Sequence, residues 1–487
     1  MSVSAVPEKA SIMGRGVLLA VPLGFLLALL TALYPLPGMV LGFALGGVLL
    51  LSKQPQLLMV PFVISLAIPM QKSLAGLPLN ASDGLLLLWC LLWPFMLQRE
   101  QAPRLQGSRV PILVWAILPF LVAACLAQVG SIAQGNSLKQ VLRIVEWFIV
   151  LPVLMLVFRP QQRFWHFAAL TMLLTPCLFA IDGLYELASN GTRLTGMLGI
   201  AVPVPEGGTA QIRHTFDISG RAGSTFGGAQ GLAMYLVMTM SVAIAHLFRS
   251  PQPWLRVLAG ISLLVCLAGL AATQSRGGLL GAVALLVVMA LLLRPGLLRW
   301  LLLLALLGGI AGALTLALLP NWDGTLAGLV PGRPEAVLDR LIIWGVVLDV
   351  FQDNPLFGVG LGNFRDEFFA RDVWLNVELG YPSLHAHNTY LELLADTGAL
   401  GLLCYLAFMF KVAQELARRW REQRNDDASV FTLAAIGTLA AYSVFAMVDM
   451  LLLQNMHFLL VLLLTLGLGD NRADAVGLKA STTESET

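Results

Sequence analysis

Five polar side chains cluster at the start of an apolar segment, in the stretch LHAHNTYLELLADTGALG at 384–401. They are His385, His387, Asn388, Glu392 and Asp396. Ionisable groups are costly to place in lipid, so those in a membrane segment usually face a cavity or the protein interior. A neutral imidazole can take a proton from a hydroxyl. The stretch is therefore predicted to form one wall of an active site at the outer surface of a membrane.

Three arginines occupy comparable places near predicted helix ends. They are Arg221 in RAGSTFGGAQGLAMYL, Arg276 in TQSRGG and Arg340 on an amphipathic loop segment. The guanidinium fork matches phosphate oxygens with two parallel hydrogen bonds, so arginines facing one cavity would make a diphosphate site. A histidine beside them would act as base toward an attacking hydroxyl. Neither a metal nor a cofactor is expected, because the arginines supply the positive charge. Each also has a simpler interpretation: headgroup contact, snorkelling or a surface ion pair.

Membrane helices are the elements that must position these residues. The chain of 487 residues is 57% hydrophobic and only 12% charged, and its mean hydropathy is +0.80. A soluble domain usually carries about twice that charged fraction. No basic run suggests a nucleic-acid partner, and the five cysteines fall in apolar segments without a disulfide or metal pattern. The sequence predicts an all-α, polytopic membrane helical bundle of about 12–14 transmembrane helices, with a large, partly helical periplasmic loop.

Fourteen apolar runs approach the length that a spanning helix needs, which is roughly 20 residues. They fall at about 17–34, 38–51, 56–70, 84–97, 110–128, 141–158, 164–187, 228–248, 254–274, 277–293, 298–319, 388–410, 429–449 and 451–469. The first run is interpreted as a retained anchor, since no cleavage site follows it, and the 38–70 region could instead hold a re-entrant pair. Lys and Arg concentrate in the short loops of one side, so both termini are predicted to be cytoplasmic.

The predicted organisation has four regions and two long outer loops. The regions are N-terminal transmembrane helices at 1–140, a core at 141–410 with outer loops at 188–227 and 320–387, C-terminal transmembrane helices at 411–469 and a cytoplasmic tail at 470–487. Within the second loop, the apolar spacing predicts an amphipathic helix at 335–351, which Asp353-Asn354-Pro355 would end. The glycine-rich turn at 358–364 is only a weak phosphate signal, because no strand precedes it.

Four motifs, in this order, resemble the O-antigen ligase/polymerase family: RAGSTFGGAQGLAMYL, TQSRGGLLG, DRLIIWGVVLDVFQDNPLFGVGLGNF and LHAHNTYLELLADTGALG. The resemblance covers about 140–410. It implies an inverting, metal-independent glycosyltransferase of the bacterial inner membrane, which acts on undecaprenyl-diphosphate-linked glycans at the periplasmic face. By motif match, Arg221, Arg276 and Arg340 would bind the diphosphate and His387 would be the base. GGAQ at 227–230 departs from the asparagine-rich turn of many relatives, which leaves the acceptor contacts open.

The resemblance also implies contacts and partners. Candidate substrate contacts are His385, Asn388, Glu392, Glu186 and Trp344. The implied partners are the lipid-linked glycan, a sugar acceptor (a lipid-linked repeat unit or lipid A core), membrane lipids and a chain-length regulator.

Charged groups inside the predicted spans have structural interpretations as well. Arg143 and Glu146 are spaced as a helical ion pair, and Asp182 and Glu186 share one helix face. Asp83 is interpreted as a helix cap at a membrane edge.

Several functions remain open at this point. Polymerisation of repeat units is favoured over ligation to lipid A core by three features. One is an acidic 320–387 loop, with nine Asp and Glu against four Arg. The second is a predicted number of spans above the twelve of a minimal ligase, and the third is a set of extra outer arginines, Arg193, Arg213, Arg365 and Arg371. A transporter or flippase for lipid-linked glycan, or a non-enzymatic assembly subunit, would share the cationic cavity. Neither of them would need an individually essential histidine.

Overall fold

The computed structural model describes residues 41–42, 45, 59–68, 71–74, 77–97, 109–158, 162–189, 191–197, 221–226, 228–293, 296, 335–371, 385–424, 426, 429–450 and 456–469. The spans predicted at 17–34 and 298–319, nearly all of 38–51, and the tail at 470–487 lie outside these residues.

The N-terminal half consists of helices and one two-stranded hairpin. Its helices are α1 (Met59–Ser65), α2 (Ala81–Leu97), α3 (Pro111–Leu126), α4 (Gln134–Val145), α5 (Leu151–Phe158), α6 (Gln162–Ala188) and α7 (Leu194–Met197). A π-helical turn at Glu146–Val150 joins α4 to α5. The strands β1 (Gln71–Leu74) and β2 (Leu77–Asn80) pair antiparallel. The hairpin was not predicted, because its few residues lie between two apolar runs without an alternating pattern.

The regular secondary structure of the described C-terminal half is all helical. A single 3₁₀ turn at Ser224–Phe226 precedes it. Its helices are α8 (Ala229–Arg249), α9 (Pro253–Thr273), α10 (Arg276–Leu293), α11 (Glu335–Asp353), α12 (Phe364–Ala370), α13 (Thr389–Gln423), α14 (Ser429–Phe445) and α15 (Met456–Leu468).

Five described helices are long and apolar enough to cross a membrane. They are the Phe167–Ala188 part of α6 together with α8, α9, α10 and α13. Shorter apolar helices of the described chain are α3, α14, α15 and the Ala81–Leu91 part of α2. The predicted class, an all-helical polytopic membrane protein, is confirmed, with the hairpin as an addition. The predicted total of spans includes segments outside the described residues.

Helix α8 lies at the centre of the bundle. It contacts α6, α9, α10, α14 and α15. Small residues allow the close approach: a Cβ at Gly269 would lie 2.7 Å from Ala180, and one at Gly278 would lie 2.8 Å from Ala233. Such small side chains are typical of helix interfaces in membranes, where packing rather than the hydrophobic effect drives association.

Helix α11 confirms the amphipathic helix predicted in the second outer loop. Its buried side chains pack with α12, Ala386 and Ala395 in a cluster of their own. Helix α11 ends at Asp353, where the Asp-Asn-Pro sequence predicts a stop.

Helix α13 is interrupted at Gly398, where φ is 63° and ψ is −169°. The segment 354–364, called the strap below, crosses this break. The Ala399 N–H donates to the Pro355 carbonyl at 2.9 Å, and the Val359 N–H donates to the Ala395 carbonyl at 3.1 Å. The strap therefore satisfies backbone groups that the break releases, which is a condition for irregular backbone at membrane depth.

Asp396 binds the glycine-rich turn of the strap. Its carboxylate is fully buried and accepts the N–H groups of Gly362 at 2.6 Å and Phe364 at 2.9 Å. The turn predicted at 358–364 thus binds a carboxylate of its own chain. Asp396 faces the protein interior, as the cost of placing it in lipid predicts.

The Arg143–Glu146 pair is confirmed at 3.3 Å, and Asp83 joins it at 2.6 Å from the same guanidinium nitrogen. Asp83 also accepts the Asn80 backbone N–H at 2.8 Å, which is the cap that was predicted.

Candidate active site

Arg221 lies on a turn that two buried carboxylates hold. Glu186 is fully buried and accepts the backbone N–H groups of Gly223 and Ser224 at 2.8 and 2.7 Å. Asp182, one helical turn earlier on α6, accepts the Ser224 hydroxyl at 2.5 Å. The expectation that Glu186 contacts sugar is corrected here, because its carboxylate is enclosed and bonds to the Arg221 turn.

Arg276 begins α10 and lies next to the Arg221 turn. Ser275 caps the helix by accepting the Gly278 N–H at 3.1 Å. The Ala222 N–H donates to the Ala272 carbonyl at 3.1 Å, so the residue after Arg221 bonds to the end of α9, four residues before Arg276. The Arg276 side chain is exposed.

Arg340 lies on α11 and is half-buried. Burial is the largest cause that lowers the pKa of Arg340. Asp449 opposes this effect, and the like charges of Arg276 and Arg221 lower the pKa further. The three arginines predicted from separate motifs are therefore electrostatic neighbours.

The start of α13 holds the predicted histidines. Asn388 caps the helix, since its side-chain oxygen accepts the N–H groups of Tyr390 at 3.0 Å and Leu391 at 3.1 Å. This oxygen is therefore committed to the helix, and Asn388 acts as a cap. His387 precedes it with φ of 49°, a left-handed conformation rare for a side chain of this size.

Glu392 orients the loop before the helix. It is buried and accepts the Ala386 N–H at 2.8 Å, and its other oxygen lies 2.9 Å from His385 Nδ1. Burial alone would lower the pKa of His385, but the charge of Glu392 and its hydrogen bond, with smaller contributions from Asp449 and Asp396, raise it. Glu392 thus holds both the His385 ring and the backbone of the next residue.

Asp449 is a site residue that sequence analysis missed. His387 Nδ1 lies 3.6 Å from Asp449 Oδ1 and has no hydrogen-bond partner among the described residues. The Thr389 hydroxyl donates to the Asp449 carbonyl at 2.9 Å, which fixes the end of α14 against the start of α13. An acidic residue at the last position of the span predicted at 429–449 was a signal that could have found it.

Trp344 joins α11 to the histidine loop. Its indole N–H donates to the Ala386 carbonyl at 2.8 Å, and the ring is half-buried. Trp344 thereby connects the helix that carries Arg340 to the loop that carries His385 and His387. Its indole N–H is used within the chain, so any sugar contact would involve the ring face.

The extra outer arginines are engaged within the chain. Arg193 donates to the Ser224 carbonyl at 2.8 Å. Arg371 pairs with Asp353 at 2.7 Å, and Arg365 Cζ lies 5.7 Å from the centroid of the Phe369 ring. Arg213 lies outside the described residues. The contacts of Arg193, Arg365 and Arg371 within the chain therefore weaken the use of these three arginines as support for polymerisation.

Across the described chain, no group of three or more His, Cys, Asp or Glu is arranged to hold a metal ion.

Residues 231–406 match the family described as O-antigen ligase. The resemblance to the O-antigen ligase/polymerase family is confirmed over this region. The matched region contains Arg276, Arg340, His385 and His387, whereas Arg221 precedes it and Asp449 follows it. The matched region therefore contains most of these residues, and Asp449, in the segment after α14, adds to them from outside the match.

A curated relative is "Exopolysaccharide production protein ExoQ" of Rhizobium meliloti (strain 1021). The two proteins are 27% identical over 124 residues, which is 25% of this chain and 28% of the relative. The match thus spans little more than a quarter of the relative's length.

Proposed function

We propose that this protein is a glycosyltransferase of the bacterial inner membrane, which transfers a glycan from undecaprenyl diphosphate to a sugar hydroxyl at the periplasmic face. The observation that carries this proposal is that the elements bearing the three arginines meet near the start of α13. The turn of Arg221 bonds to the end of α9 beside Arg276, and Trp344 on the Arg340 helix bonds to the histidine loop. The charges of Arg221 and Arg276 also act on Arg340. Guanidinium groups gathered at one surface suit a diphosphate, whose charge grows as the glycosyl bond breaks. The ligase-family match over 231–406 supports the same class.

His387 is the proposed base. Its Nδ1 faces Asp449, so a proton on Nδ1 would point to that carboxylate and leave Nε2 as the basic nitrogen. The acceptor oxygen would attack the anomeric carbon from the face opposite the diphosphate, with inversion. The acceptor proton would pass to Nε2, and the bond from the anomeric carbon to the diphosphate oxygen would break. The arginines would stabilise the diphosphate that leaves, and the proposal requires no divalent cation.

His385 has a different place in the proposal. Its Nδ1 bonds to Glu392, and this carboxylate raises the pKa of His385, which favours the imidazolium form relative to a free histidine. A cation there would add to the positive charge around the diphosphate rather than accept a proton. His385 is therefore a proposed substrate contact, and Glu392 is the residue that positions it.

Polymerisation of lipid-linked repeat units is the proposed form of the reaction. The relative is named for exopolysaccharide production, which implies a polymer product. The acidic 320–387 loop also disfavours a phosphate-rich lipid A core as acceptor. Ligation to lipid A core is the second candidate, because the matching family is described as O-antigen ligase.

The direct test of the site is a pair of variants with matched controls. We expect His387→Ala to lose about 100- to 10,000-fold in turnover while donor binding persists, since a base acts mainly in the transition state. Arg276→Lys should lose most activity because it keeps the charge but not the fork. Arg371→Lys, at the residue directly after α12, is the control for the second change. Each of the three variants is purified and supplied with lipid-linked glycan in the presence of EDTA, and its turnover rate is measured. Wild-type rates in both His387→Ala and Arg276→Lys would disprove the proposed site.

The form of the reaction is tested in cells. If the protein is a polymerase, deletion of its gene should leave single repeat units on undecaprenyl diphosphate and abolish long polysaccharide. Long chains that accumulate on undecaprenyl diphosphate and are absent only from lipid A would instead identify a ligase. A flippase would be indicated if deletion retained the lipid-linked glycan on the cytoplasmic side.

A further inference from the structure

A second group of polar side chains lies where α2 begins and α4 ends, on elements that the proposed active site does not use. Asp83 is 5% exposed, and one of its oxygens, Oδ2, lies 2.6 Å from an Arg143 nitrogen. The same nitrogen lies 3.3 Å from Glu146. The Asn80 backbone N–H donates to Asp83 Oδ2 at 2.8 Å. These four residues form one connected cluster, called the α2–α4 cluster below.

The α2–α4 cluster contains more hydrogen-bonding groups than the described chain satisfies. Asn80 is 4% exposed, and neither its amide oxygen nor its amide nitrogen has a hydrogen-bond partner among the described residues. Asp83 Oδ1 is also buried without a partner in that part of the chain. Buried polar atoms are nearly always hydrogen-bonded. Three such atoms in one place indicate a polar partner.

Glu146 connects the cluster to the outside. Its side chain is 24% exposed and that of Arg143 is 18% exposed. Glu146 is also the first residue of the π-helical turn between α4 and α5. Such turns occur frequently at functional sites, because the extra residue redirects side chains. A ligand can therefore approach past Glu146 toward the buried atoms of Asn80 and Asp83.

The chemistry of the cluster fits sugar hydroxyls. An amide offers both donors and acceptors, and a carboxylate offers acceptors only, which together match hydroxyls that donate and accept. The charges are two carboxylates and one guanidinium, from Asp83, Glu146 and Arg143. This excess of negative charge disfavours a second diphosphate.

The cluster lies at the same end of the bundle as the arginines. The Thr225 hydroxyl, four residues after Arg221, donates to the Ala67 carbonyl at 2.7 Å. The chain then enters the hairpin, in which Gln71 pairs with Asn80. Four Cα steps of about 3.8 Å and one strand pairing of about 5 Å place Asn80 within roughly 20 Å of Ala67.

We propose that Asn80, Asp83, Arg143 and Glu146 bind hydroxyl groups of the acceptor glycan, in a subsite separate from the diphosphate-binding arginines. This inference rests on the proposed glycosyl transfer and specifies where the acceptor sugar is held.

The test measures binding apart from turnover. The probe is the repeat-unit oligosaccharide, released by mild acid from the lipid carrier of the same bacterium. It is titrated into purified full-length protein in lipid nanodiscs, in a His387→Ala background that cannot consume it. Asn80→Ala and Glu146→Gln should each weaken binding about 2- to 10-fold, the effect of one lost hydrogen bond. Lys139→Ala, an exposed change one helical turn before Arg143 on α4, should leave the affinity unchanged.

Unchanged affinity in both Asn80→Ala and Glu146→Gln would overturn the inference. A raised melting temperature of Asn80→Ala with unchanged affinity would also overturn it, because it would show that the Asn80 amide is a buried group without a partner and not a ligand contact. Failure of the proposed function is recognised separately. It would appear as full turnover in His387→Ala, whereas the affinity comparison does not depend on turnover.

Discussion

His387 and Asp449 come together through two local features of the backbone. His387 has a left-handed φ of 49°, and the Thr389 backbone and hydroxyl bond to the Asp449 carbonyl. The imidazole is thereby held with Nδ1 toward the carboxylate at 3.6 Å. A carboxylate in this place stabilises an imidazolium as it forms and selects the tautomer that can accept a proton.

Asp449→Asn should lower turnover by about 10- to 100-fold, with donor binding unchanged, because the amide keeps the shape but not the charge. Single-turnover rates in purified protein measure the change. Asp353→Asn is the control, since that carboxylate is exposed and pairs with Arg371. Equal losses in the two variants would contradict a specific role for Asp449.

The His385–Glu392 pair predicts a pH dependence of stability. The folded-state pKa of His385 is raised above its ordinary value of about 6.5. The pair therefore stabilises the fold fully below about pH 6.5, and this stabilisation is lost as pH rises through the raised value. We expect wild type to exceed His385→Gln in unfolding free energy by about 1 kcal/mol at low pH, and the difference to shrink as pH rises. Thermal unfolding in detergent across pH measures it, and a difference that grows with pH would refute the assignment.

Arg221, Arg276 and the two histidines could be singled out from the sequence because they stand near the ends of apolar segments, and Arg340 because it lies on an amphipathic loop segment. Sequence analysis could not predict which carboxylates are enclosed. Glu186 near the outer end of its span was expected to meet sugar, yet the turn at Gly223 and Ser224 covers it. That contact joins residues 37 and 38 positions apart, and no local pattern records it.

At the scale of elements, the strap and the break in α13 depend on each other. Gly398 has a conformation that only glycine adopts readily. A Cβ there would lie 2.4 Å from the Leu356 backbone. The strap then continues past Asp396 to α12, which packs with α11 in one cluster. The break therefore helps to hold α11, the helix that carries Arg340, against α13.

Gly398→Ala should destabilise the protein by at least 1–3 kcal/mol, the order of the backbone strain alone, and should lower turnover as the strap shifts. Gly345→Ala is a matched control, because a Cβ at that position on α11 meets nothing within 4 Å. We expect the control to be neutral or slightly stabilising. The melting temperatures and turnover rates of Gly398→Ala and Gly345→Ala are compared. Equal values in the two variants would show that the position of the strap does not depend on the break at Gly398.

The helices themselves were predictable, because apolar runs of spanning length leave few alternatives. The π-helical turn, the strap and the hairpin were not, because they depend on side-chain and backbone contacts between distant segments. Helix α13 also runs further than predicted, to Gln423 rather than 410. Its later part carries Lys411 and Arg418, whose long side chains suit a helix that emerges from the membrane.

At the scale of the whole molecule, residues predicted to share a side of the membrane are in contact. Arg109 pairs with Glu422 at 2.7 Å, and Arg249 lies 5.0 Å from the Trp420 ring centroid. The order of the predicted spans, with a cytoplasmic N-terminus, puts all four residues on the cytoplasmic side. On the predicted outer side, the Asn136 side chain donates to the carbonyl of Gly362 at 3.1 Å.

Topology reporters test this arrangement. Fusions after Arg424 and at the C-terminus should report cytoplasm, and fusions within 190–220 and 325–380 should report periplasm. Activity of a periplasm-dependent reporter at each position measures it. A cytoplasmic signal from 325–380 would place Arg340 on the wrong side for a periplasmic reaction.

Helix α15 is buried along its whole length, from Met456 to Leu468. It is nevertheless the last of the described helices to leave the ribosome. The place that α15 fills among the earlier helices is therefore completed only when this late segment has been made. Its His457 bonds to Tyr442 at 2.9 Å and stacks on Trp147 at 4.9 Å. A polar contact thus joins a late segment of the chain to two earlier ones.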